Sequence, residues 1–567
     1  MPDLPATQHA IQFTGPGTVV HNRAKVVHAP GPTQLVLKVE AVGICFSDTK
    51  LLRAFSAHPR KSAVLAGATP EVLAEIPSYI PGDAPLVPGH EVAGRIVAVG
   101  AAVRHHRVGE RCLVQTDYRH LPTAGSNAAF GYNFEGGLQE YVLLDERMIL
   151  EPGTGERFLI PVDETASGSA VALLEPWACV EKSYASPERG TLAADGRLLV
   201  VAEPGRVIEG LDILVAASRP REAVTLLGEP DGSQARRVEA AFGTAVVPVR
   251  HAAGLADLGE QRFDDIVYVG ADAGRIEALQ DHLAPGGLID IVLGGAEIGR
   301  PVSVDVGRIH YDLVRWIGTS GTSAADGYAR VPADGELRNG DAVAIIGAAG
   351  PMGFMHVIRA ATSGLEALRL AAIDIDDARL AHLASVAGPL AVAGGVEAEF
   401  VNSRVTSPRV SAFSYLGVMV PAPALVAQAI SMAAPAARLN LFAGFAVGTR
   451  ADLDLDAVIG RGVYMFGTSG SEIRDMKAVL ARLEAGRLDT NVSVDAVCGM
   501  EGVGAALAAV EARQSGGKIV VYPSLHNLGM IRLGELPERL PGVAALLHDG
   551  RWTREAEMAL LSLAGPA

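Results

Sequence analysis

The stretch GDAVAIIGAAGPMGFMHVIRAA, Gly340 to Ala361, carries the clearest fold signal in this sequence of 567 residues. An apolar run typical of a buried strand leads into Gly347, Gly350 and Gly353, and a helical pattern follows. The first glycine permits a tight turn, the second lets the backbone approach a pyrophosphate, and the third allows close packing of helix on strand. The stretch therefore predicts a dinucleotide-binding turn, with the N–H groups of the helix facing the phosphates.

An acidic residue follows this turn at the expected distance. The segment LRLAAIDIDDARL reads as a second strand that ends at Asp374, which lies 21 residues beyond Gly353 (374 − 353). An acid at this place would meet the ribose 2′-hydroxyl of the dinucleotide. Because a carboxylate would repel a 2′-phosphate, Asp374 favours NAD over NADP.

The turn belongs to an internal repeat. Phe263 recurs as Phe413, 150 positions later (413 − 263), and the GTSG that begins at Gly318 recurs at Gly467. A period of this length indicates a duplicated domain rather than a solenoid. Apolar strands alternate with Ala-rich helical patterns from about residue 192 onward, so each copy is predicted to be a doubly wound parallel sheet.

The earlier copy has a different turn, in GRLLVVAEPGRVIEG. It keeps the middle glycine as Gly205, but Ala202 and Ile208 replace the outer two, and Glu229 or Asp231 is the acid after its next strand. We interpret this copy as degenerate for a dinucleotide. The sequence leaves open whether it binds a smaller ligand or none.

Between about residues 34 and 190 the chain reads as short β-runs, which predict a barrel-like or sandwich-like domain. Polar residues interrupt these runs at Cys45, at the pair His90-Glu91 and at Glu175. Burial of ionisable groups is costly unless they are paired or bound to a metal. A thiolate, an imidazole and a carboxylate would make a three-ligand zinc site with an open fourth position. Each residue also has a simpler explanation: a small buried hydrophobe, an exposed turn and a helix cap.

Jointly, these motifs resemble the medium-chain dehydrogenase/reductase family, and within it the zinc-dependent polyol dehydrogenases. The resemblance covers about residues 35–190 and 335–525 and rests on GICFSD, PGHEVAGRIVAVG, VGERCLV, GGLQEYV, LLEPWACV, GAAGPMG and GGKIVVYP. It implies an α/β chain, and the earlier copy is an addition to the usual family plan. The expected domains are a GroES-like β-rich catalytic domain (1–190), an inserted degenerate Rossmann-like domain (191–330), an NAD-binding Rossmann domain (331–490) and a return to the catalytic domain with a helical tail (491–567).

By this resemblance Cys45, His90 and Glu175 are the zinc ligands. Glu91 is then a nearby carboxylate that can exchange with the water on the metal. The separation of Cys45 and His90, 45 positions (90 − 45), is longer than the family pattern. We expect the excess, around residues 56–80, to form a helical insertion near the site.

The resemblance assigns further roles around the same site. Ser47 is the hydroxyl that relays the proton from the substrate oxygen, and Asp48 orients a ligand. Cys112 stands alone where many relatives carry a four-cysteine lobe, so one zinc per chain and no structural zinc are expected. The residues that the resemblance places at NAD are Gly347, Gly350, Met352, Gly353, Asp374 and Arg379.

The function that the resemblance implies is the reversible oxidation of a secondary alcohol, in a polyol, sugar or sugar phosphate, to a ketone with NAD(H). Two alternatives stay open. The first is a redox-neutral lyase or epimerase that oxidises a sugar transiently with tightly held NAD. The second is a non-catalytic sensor or scaffold built on an old dehydrogenase.

The composition indicates which kinds of binding partner and which cellular compartment to expect. The net charge of −16 argues against nucleic acid or an anionic membrane as the main partner. No secretory signal or apolar run of spanning length is visible, and four scattered cysteines give no disulfide framework. The expected setting is the cytoplasm, with a small-molecule substrate. A homo-oligomer is left open, as is a pseudo-dimer formed by the duplication within one chain.

Overall fold

The computed structural model describes residues 4–218, 223–228, 232–242 and 249–563. The predicted acids Glu229 and Asp231 lie outside these ranges. The chain divides into two compact units. The first contains the described residues up to Glu181, residues 350–355 and the described residues from 470 onward, and the second contains residues 182–349 and 356–469.

Both units are built from strands and helices. In chain order, the strands within the described ranges are β1 (Thr7–Gly15), β2 (Thr18–Val26), β3 (Gln34–Ile44), β4 (Glu91–Val99), β5 (Arg111–Val114), β6 (Asp117–Thr123), β7 (Ser126–Ala129), β8 (Tyr141–Asp145), β9 (Leu159–Pro161), β10 (Arg197–Ala202), β11 (Ala223–Leu227), β12 (Val249–Ala252), β13 (Phe263–Val269), β14 (Leu283–Val292), β15 (Val302–Asp305), β16 (Arg315–Thr319), β17 (Ala342–Ile346), β18 (Arg369–Asp374), β19 (Glu397–Asn402), β20 (Phe413–Val418), β21 (Ala433–Leu441), β22 (Arg450–Leu453), β23 (Tyr464–Phe466), β24 (Val494–Cys498), β25 (Lys518–Val521) and β26 (Ile531–Arg532).

Helices fill the connections. In chain order, the α-helices of the same ranges are α1 (Phe46–Ala54), α2 (Pro70–Ala74), α3 (Gly168–Ala172), α4 (Leu174–Ala185), α5 (Leu211–Ala216), α6 (Gly232–Phe242), α7 (Ala273–Leu279), α8 (Val306–Tyr311), α9 (Ala324–Ala329), α10 (Pro351–Ala361), α11 (Asp377–Ala393), α12 (Pro423–Ser431), α13 (Leu455–Arg461), α14 (Ile473–Glu484), α15 (Val503–Glu511), α16 (Leu536–Arg539), α17 (Pro541–Ala544) and α18 (Arg554–Ser562). None of these described helices has the length and apolar character that crossing a membrane requires.

The first unit is built around an eight-stranded sheet in the order β26-β24-β25-β3-β4-β5-β9, with β8 also paired to β3. Strand β3 is the meeting point, because it pairs antiparallel with β4, β8 and β25. In the last of these pairs, Val42 lies opposite Val521. β3 and β4 are rich in Val, Leu and Ile, residues that favour strands. The early and late parts of the chain therefore complete one sheet.

The segment at residues 56–80 is mostly irregular, whereas a helical insertion was expected. Within it, α2, the end of a 3₁₀ turn at Phe55–Ala57 and a second 3₁₀ turn at Pro59–Lys61 are helical. Several prolines and a glycine keep these helices short, because proline ends a helix and glycine weakens it. The buried Lys61 anchors the segment instead, because its Nζ donates to the carbonyls of Ile80 and Ala84.

The second unit contains a twelve-stranded sheet in the order β12-β11-β10-β13-β14-β16-β23-β21-β20-β17-β18-β19. Each half has six strands, which are parallel to one another in the arrangement 3-2-1-4-5-6 of a doubly wound dinucleotide-binding sheet. The repeat extends to strand register: Asp290 lies opposite Val267, and Asn440 opposite Gly417, both 150 positions later. The prediction of two Rossmann-like copies is confirmed.

One buried apolar core serves both halves of this second sheet. It includes Ile289 and Trp316 from the first half, and Leu439 and Met465 from the second. Parallel strands that are covered on both faces require nearly continuous apolar sequences, as in RLLVVA and AVAII.

Asp290 is an ionisable residue in the middle of strand β14. Neither of its carboxyl oxygens has a hydrogen-bond partner, and a Cβ atom on Gly327 would lie only 2.1 Å from Oδ1. Burial raises the pKa of Asp290 well above its ordinary value, and the charges of Asp326 and Asp265 raise it further. The equivalent position in the second half is Asn440, whose amide carries no charge.

We therefore expect Asp290→Asn to raise the free energy of unfolding at about pH 8 by about 1–3 kcal/mol. Because the folded-state pKa is the higher one, the wild type loses stability as the pH rises above the ordinary Asp pKa of about 3.9. The gain should therefore vanish as the pH falls below that value.

Urea denaturation across this pH range checks the prediction. The control is Asp281→Asn, since the Asp281 side chain is 68% exposed. It should change stability little at any pH. A gain of the same size in both variants, or a gain in Asp290→Asn that is independent of pH, would contradict the argument.

Candidate active site

Two neighbouring strands bring the candidate metal ligands together. Cys45 follows strand β3 directly, and His90-Glu91 stands at the start of β4. These strands run antiparallel with Gly43 opposite Glu91, so the end of one lies beside the beginning of the other. Gly43 is needed here, because a Cβ atom on it would lie 2.0 Å from Glu91 Oε2.

Cys45, His90 and Glu91 form a converging group of possible ligands. One ligand atom of each lies within 4.8 Å of the other two. His90 is 6% exposed and Glu91 is fully buried, yet Glu91 Oε2 has no hydrogen-bond partner. A thiol, an imidazole and an orphaned carboxylate oxygen are a donor set that zinc accepts. The residues present therefore fit this metal.

Asp48 and Ser47 hold the imidazole of His90 from two sides. Asp48 Oδ2 accepts the N–H of Cys45 at 2.9 Å, and its Oδ1 lies 3.2 Å from His90 Nδ1. Ser47 Oγ is 3.0 Å from His90 Nε2. Burial lowers the pKa of His90, but the charge of Asp48 outweighs it, so the pKa lies well above its ordinary value. Asp48 thus contacts both Cys45 and His90, as a residue that orients metal ligands would.

Glu175 borders this group without joining it. It lies in the first turn of α4, is 8% exposed, and accepts a hydrogen bond from Cys179 Sγ at 3.6 Å. Burial raises the pKa of Glu175 to about 7, with His90 lowering it and Glu91 raising it. Glu175 is therefore close enough to interact electrostatically with His90 and Glu91. The third member of the converging group, beside Cys45 and His90, is nevertheless Glu91.

Sequence reasoning missed Lys518. This residue begins strand β25, and its Nζ lies 2.5 Å from Glu91 Oε1, with both side chains buried. Burial lowers the pKa of Lys518, but Glu91 and Cys45 raise it above the ordinary value. A signal was available, because Lys518 opens the apolar run KIVVY just as His90-Glu91 opens VAGRIVAV.

Arg60 and Asp117 add a second ion pair that the sequence did not indicate, with Asp117 buried and Arg60 half-buried. Arg60 Nη1 donates to Asp117 Oδ1, and its guanidinium lies 5.4 Å from the ring centre of Tyr132. That ring is in turn 5.6 Å from the ring of His90. The irregular segment at residues 56–80 therefore supplies a cation near the candidate ligands.

The glycine turn that is predicted to bind a dinucleotide lies between strand β17 and helix α10. Gly347 follows β17 with φ +82°, and a Cβ atom on it would lie 2.4 Å from Val420 Cγ2. Asp374 ends β18, where its Oδ2 accepts the N–H of Ala349 at 3.0 Å and its Oδ1 pairs with Arg379 Nη2 at 3.2 Å. The other predicted cofactor residues stand at the start of helix α10: Gly350, Met352 and Gly353.

The corresponding turn of the first half is built differently. After strand β10 the chain runs through Gly205 (φ +79°) to a left-handed Gly210 before helix α5 begins. Glu203 Oε1 accepts the N–H groups of Ala271 and Asp272 at 3.0 and 2.8 Å. A charged side chain thus stands in the first half where the second has a short turn of glycine and alanine.

The N-terminal part of the chain is similar to known proteins. Residues 31–153 match the alcohol dehydrogenase GroES-like domain. An uncharacterised zinc-type alcohol dehydrogenase-like protein, YphC of Escherichia coli (strain K12), is 32% identical over 152 residues, 24% of this chain and 38% of that protein. The L-sorbose 1-phosphate reductase of Klebsiella pneumoniae is 32% identical over 158 residues, 26% of this chain and 36% of the reductase. The chain thus spans little more than a third of either relative.

A solved structure has a similar fold over most of the length of this chain. The 2R,3R-butanediol dehydrogenase of Bacillus subtilis aligns with 91% of this chain and 100% of its own, with a TM-score of 0.51 and 15% identity. At this identity the likeness concerns the fold alone. The GroES-like match and the relatives above bear out the predicted resemblance to the zinc-type alcohol and polyol dehydrogenases of the medium-chain dehydrogenase/reductase family.

Proposed function

We propose that the chain is a zinc-dependent oxidoreductase that interconverts a secondary alcohol, in a polyol, sugar or sugar phosphate, and the corresponding ketone with NAD(H). The observation that carries the proposal is the convergence of Cys45, His90 and Glu91 in a buried site. The relatives support it, since one is named a zinc-type alcohol dehydrogenase-like protein and another a sugar-phosphate reductase. The four free cysteines fit a reducing cytoplasm.

In this proposal Cys45, His90 and Glu175 would hold the zinc, and Glu91 would be the nearby carboxylate that can take the place of the water on it. When bound, zinc would polarise the alcohol oxygen and lower its pKa. Ser47, whose Oγ lies 3.0 Å from His90 Nε2, accepts the proton that the alcohol gives up. The short distances among Cys45, His90 and Glu91 also allow Glu91 to serve as the third ligand.

The dinucleotide turn would hold the NAD(H) that exchanges the hydride. Gly347, Gly350 and Gly353 would admit the pyrophosphate, with Met352 beside them at the start of helix α10. Asp374 would accept a hydrogen bond from a ribose hydroxyl, and Arg379 Nη2 lies 3.2 Å from the Oδ1 of that carboxylate.

Gly347→Ala should weaken NADH binding by about tenfold or more, because the added methyl group meets Val420 and φ +82° is a strained conformation for alanine. NADH fluorescence titration measures the change. Gly205→Ala is the matched control, since Gly205 has φ +79° but no atom within 4 Å of an added Cβ. It should leave NADH affinity unchanged. Equal weakening in both variants would place nucleotide at the first turn as well.

The proposal is tested by measuring zinc content together with NADH formation across a panel of polyols and sugar phosphates. About one zinc per chain and NADH formation with at least one substrate is the expected result. Zinc with sugar turnover but no net NADH would instead favour the redox-neutral lyase or epimerase. Zinc-supplied protein that holds no zinc would contradict the proposed site.

A further inference from the structure

The two halves of the twelve-stranded sheet meet as two subunits of a symmetric dimer would. Strand β16 pairs antiparallel with β23, with Trp316 opposite Met465, and β15 pairs antiparallel with β22, with Ser303 opposite Asp452. In both cases the partners are 149 positions apart (465 − 316 and 452 − 303). Each strand therefore faces its own repeat equivalent, which is the signature of a two-fold interface.

In this arrangement one edge strand of each half is already paired with the other half. The inner edge strands β16 and β23 are paired with each other, and β12 and β19 form the outer edges of the sheet. An unpaired edge strand is the usual place where a second chain adds to a sheet. Because the inner edges are already paired and share one core, a second copy of this chain has no access to them.

The first half also fills its own dinucleotide crevice. Glu203 accepts the N–H groups of Ala271 and Asp272 at the start of α7, as well as the hydroxyl of Tyr268. Arg206 Nη1 donates to the carbonyl of Leu293 at 3.2 Å. These contacts lie at the carboxyl ends of β10, β13 and β14, where a doubly wound sheet receives its ligand.

The two halves contribute different side chains to their junction. Glu188 accepts two hydrogen bonds from Arg315, at 2.7 and 2.9 Å, and one from the hydroxyl of Tyr464 at 2.5 Å. Arg315 and Tyr464 are repeat equivalents, yet only Arg315 reaches further: its Nη2 donates to the carbonyl of Gly467 at 3.0 Å. Gly467 also packs on helix α8 of the first half, where an added Cβ would lie 3.0 Å from His310 Cα.

We infer that the first half is a built-in partner subunit: it occupies the dimer edge of the second half and binds no dinucleotide itself. Through the contact of Arg315 with Gly467 it also positions the GTSGS loop (residues 467–471), which follows the carboxyl end of β23, where a doubly wound sheet receives its ligand. This inference rests on the proposed function for the identity of the nucleotide. Arg315 is then a positioning residue, supplied by one copy to the other copy that would bind NAD.

The first test is sedimentation equilibrium of the full chain together with NADH titration. The expected result is a monomer that binds one NADH. A stable dimer, or two NADH per chain, would overturn the inference. A monomer that binds no NADH would keep the first half as the partner at the sheet edge but would contradict the proposed function, so the two failures are distinguishable.

The second test concerns Arg315. Arg315→Met should raise the Kd for NADH about tenfold, because the GTSGS loop loses the charge-assisted hydrogen bond that holds Gly467 in place. Arg315→Lys should restore part of the affinity. Tyr464→Phe is the control, because it removes a hydrogen bond to the same Glu188 but leaves the contact of Arg315 with Gly467. It should lower the melting temperature without changing the Kd. An unchanged Kd in folded Arg315→Met would overturn the positioning role, as would an equal loss of NADH affinity in all three variants. If Arg315→Met does not fold, the Kd of Arg315→Lys decides.

Discussion

Cys45→Ser should release zinc and lower alcohol oxidation by at least about 10⁴-fold, the largest effect expected of a single substitution in this chain. A thiolate is a strong zinc ligand and a serine hydroxyl is a weak one. The fold should survive, because the N–H of residue 45 keeps its hydrogen bond to Asp48. Elemental analysis and the initial rate of NADH formation on the best substrate of the panel measure the two losses.

Cys112→Ser is the matched control for this substitution. Cys112 is fully buried on strand β5 and lies outside the converging ligand group. We expect this variant to keep its zinc and its rate, even if the buried hydroxyl costs some stability. Equal loss of zinc in both variants would point to damage to the fold, and full zinc in Cys45→Ser would remove Cys45 from the ligand set.

Lys518→Met should lower the free energy of unfolding by about 3–5 kcal/mol in metal-free buffer, because it leaves Glu91 as a buried charge without its partner. Urea denaturation near neutral pH measures the loss of stability.

Two further variants isolate the pairing of these charges. The double variant Glu91→Gln/Lys518→Met removes both charges and should recover most of the lost stability. Lys477→Met breaks the exposed pair with Glu156, whose side chains are 50% and 42% exposed, and should cost about 1 kcal/mol at most. If the double variant were as unstable as the sum of its single changes, the buried pair would not be the cause.

Much of the fold could be predicted from local patterns. The glycine turn at Gly347 and the repeat of Phe263 as Phe413 predicted two doubly wound halves, because strand order follows from alternating strands and helices. The junction of the halves could not be predicted in the same way. It depends on strand β23, which is only three residues long and has no periodicity that indicates which strand it pairs with.

The site was predicted unevenly for a similar reason. Cys45 and His90 were found because they interrupt apolar runs, an anomaly that is visible within a few residues. The charge partner of Glu91 lies on a strand near the other end of the chain, and no local pattern connects Glu91 with Lys518. The closer approach of Glu91 than Glu175 to Cys45 and His90 depends on the register of β3 and β4, which sequence spacing does not determine.

The order of synthesis determines when this site is complete. Lys518 follows Glu91 by 427 positions, and strand β25 adds to β3 only after both halves of the twelve-stranded sheet have been made. At the usual translation rates, a ribosome needs roughly 20–85 s to supply these residues. During that interval Glu91 has no cation and β3 lacks a neighbouring strand. The proposed zinc site is therefore expected to gain its Glu91–Lys518 pair only late in synthesis, and a nascent chain that stops before Lys518 would carry Cys45 and His90 without the completed sheet that holds them.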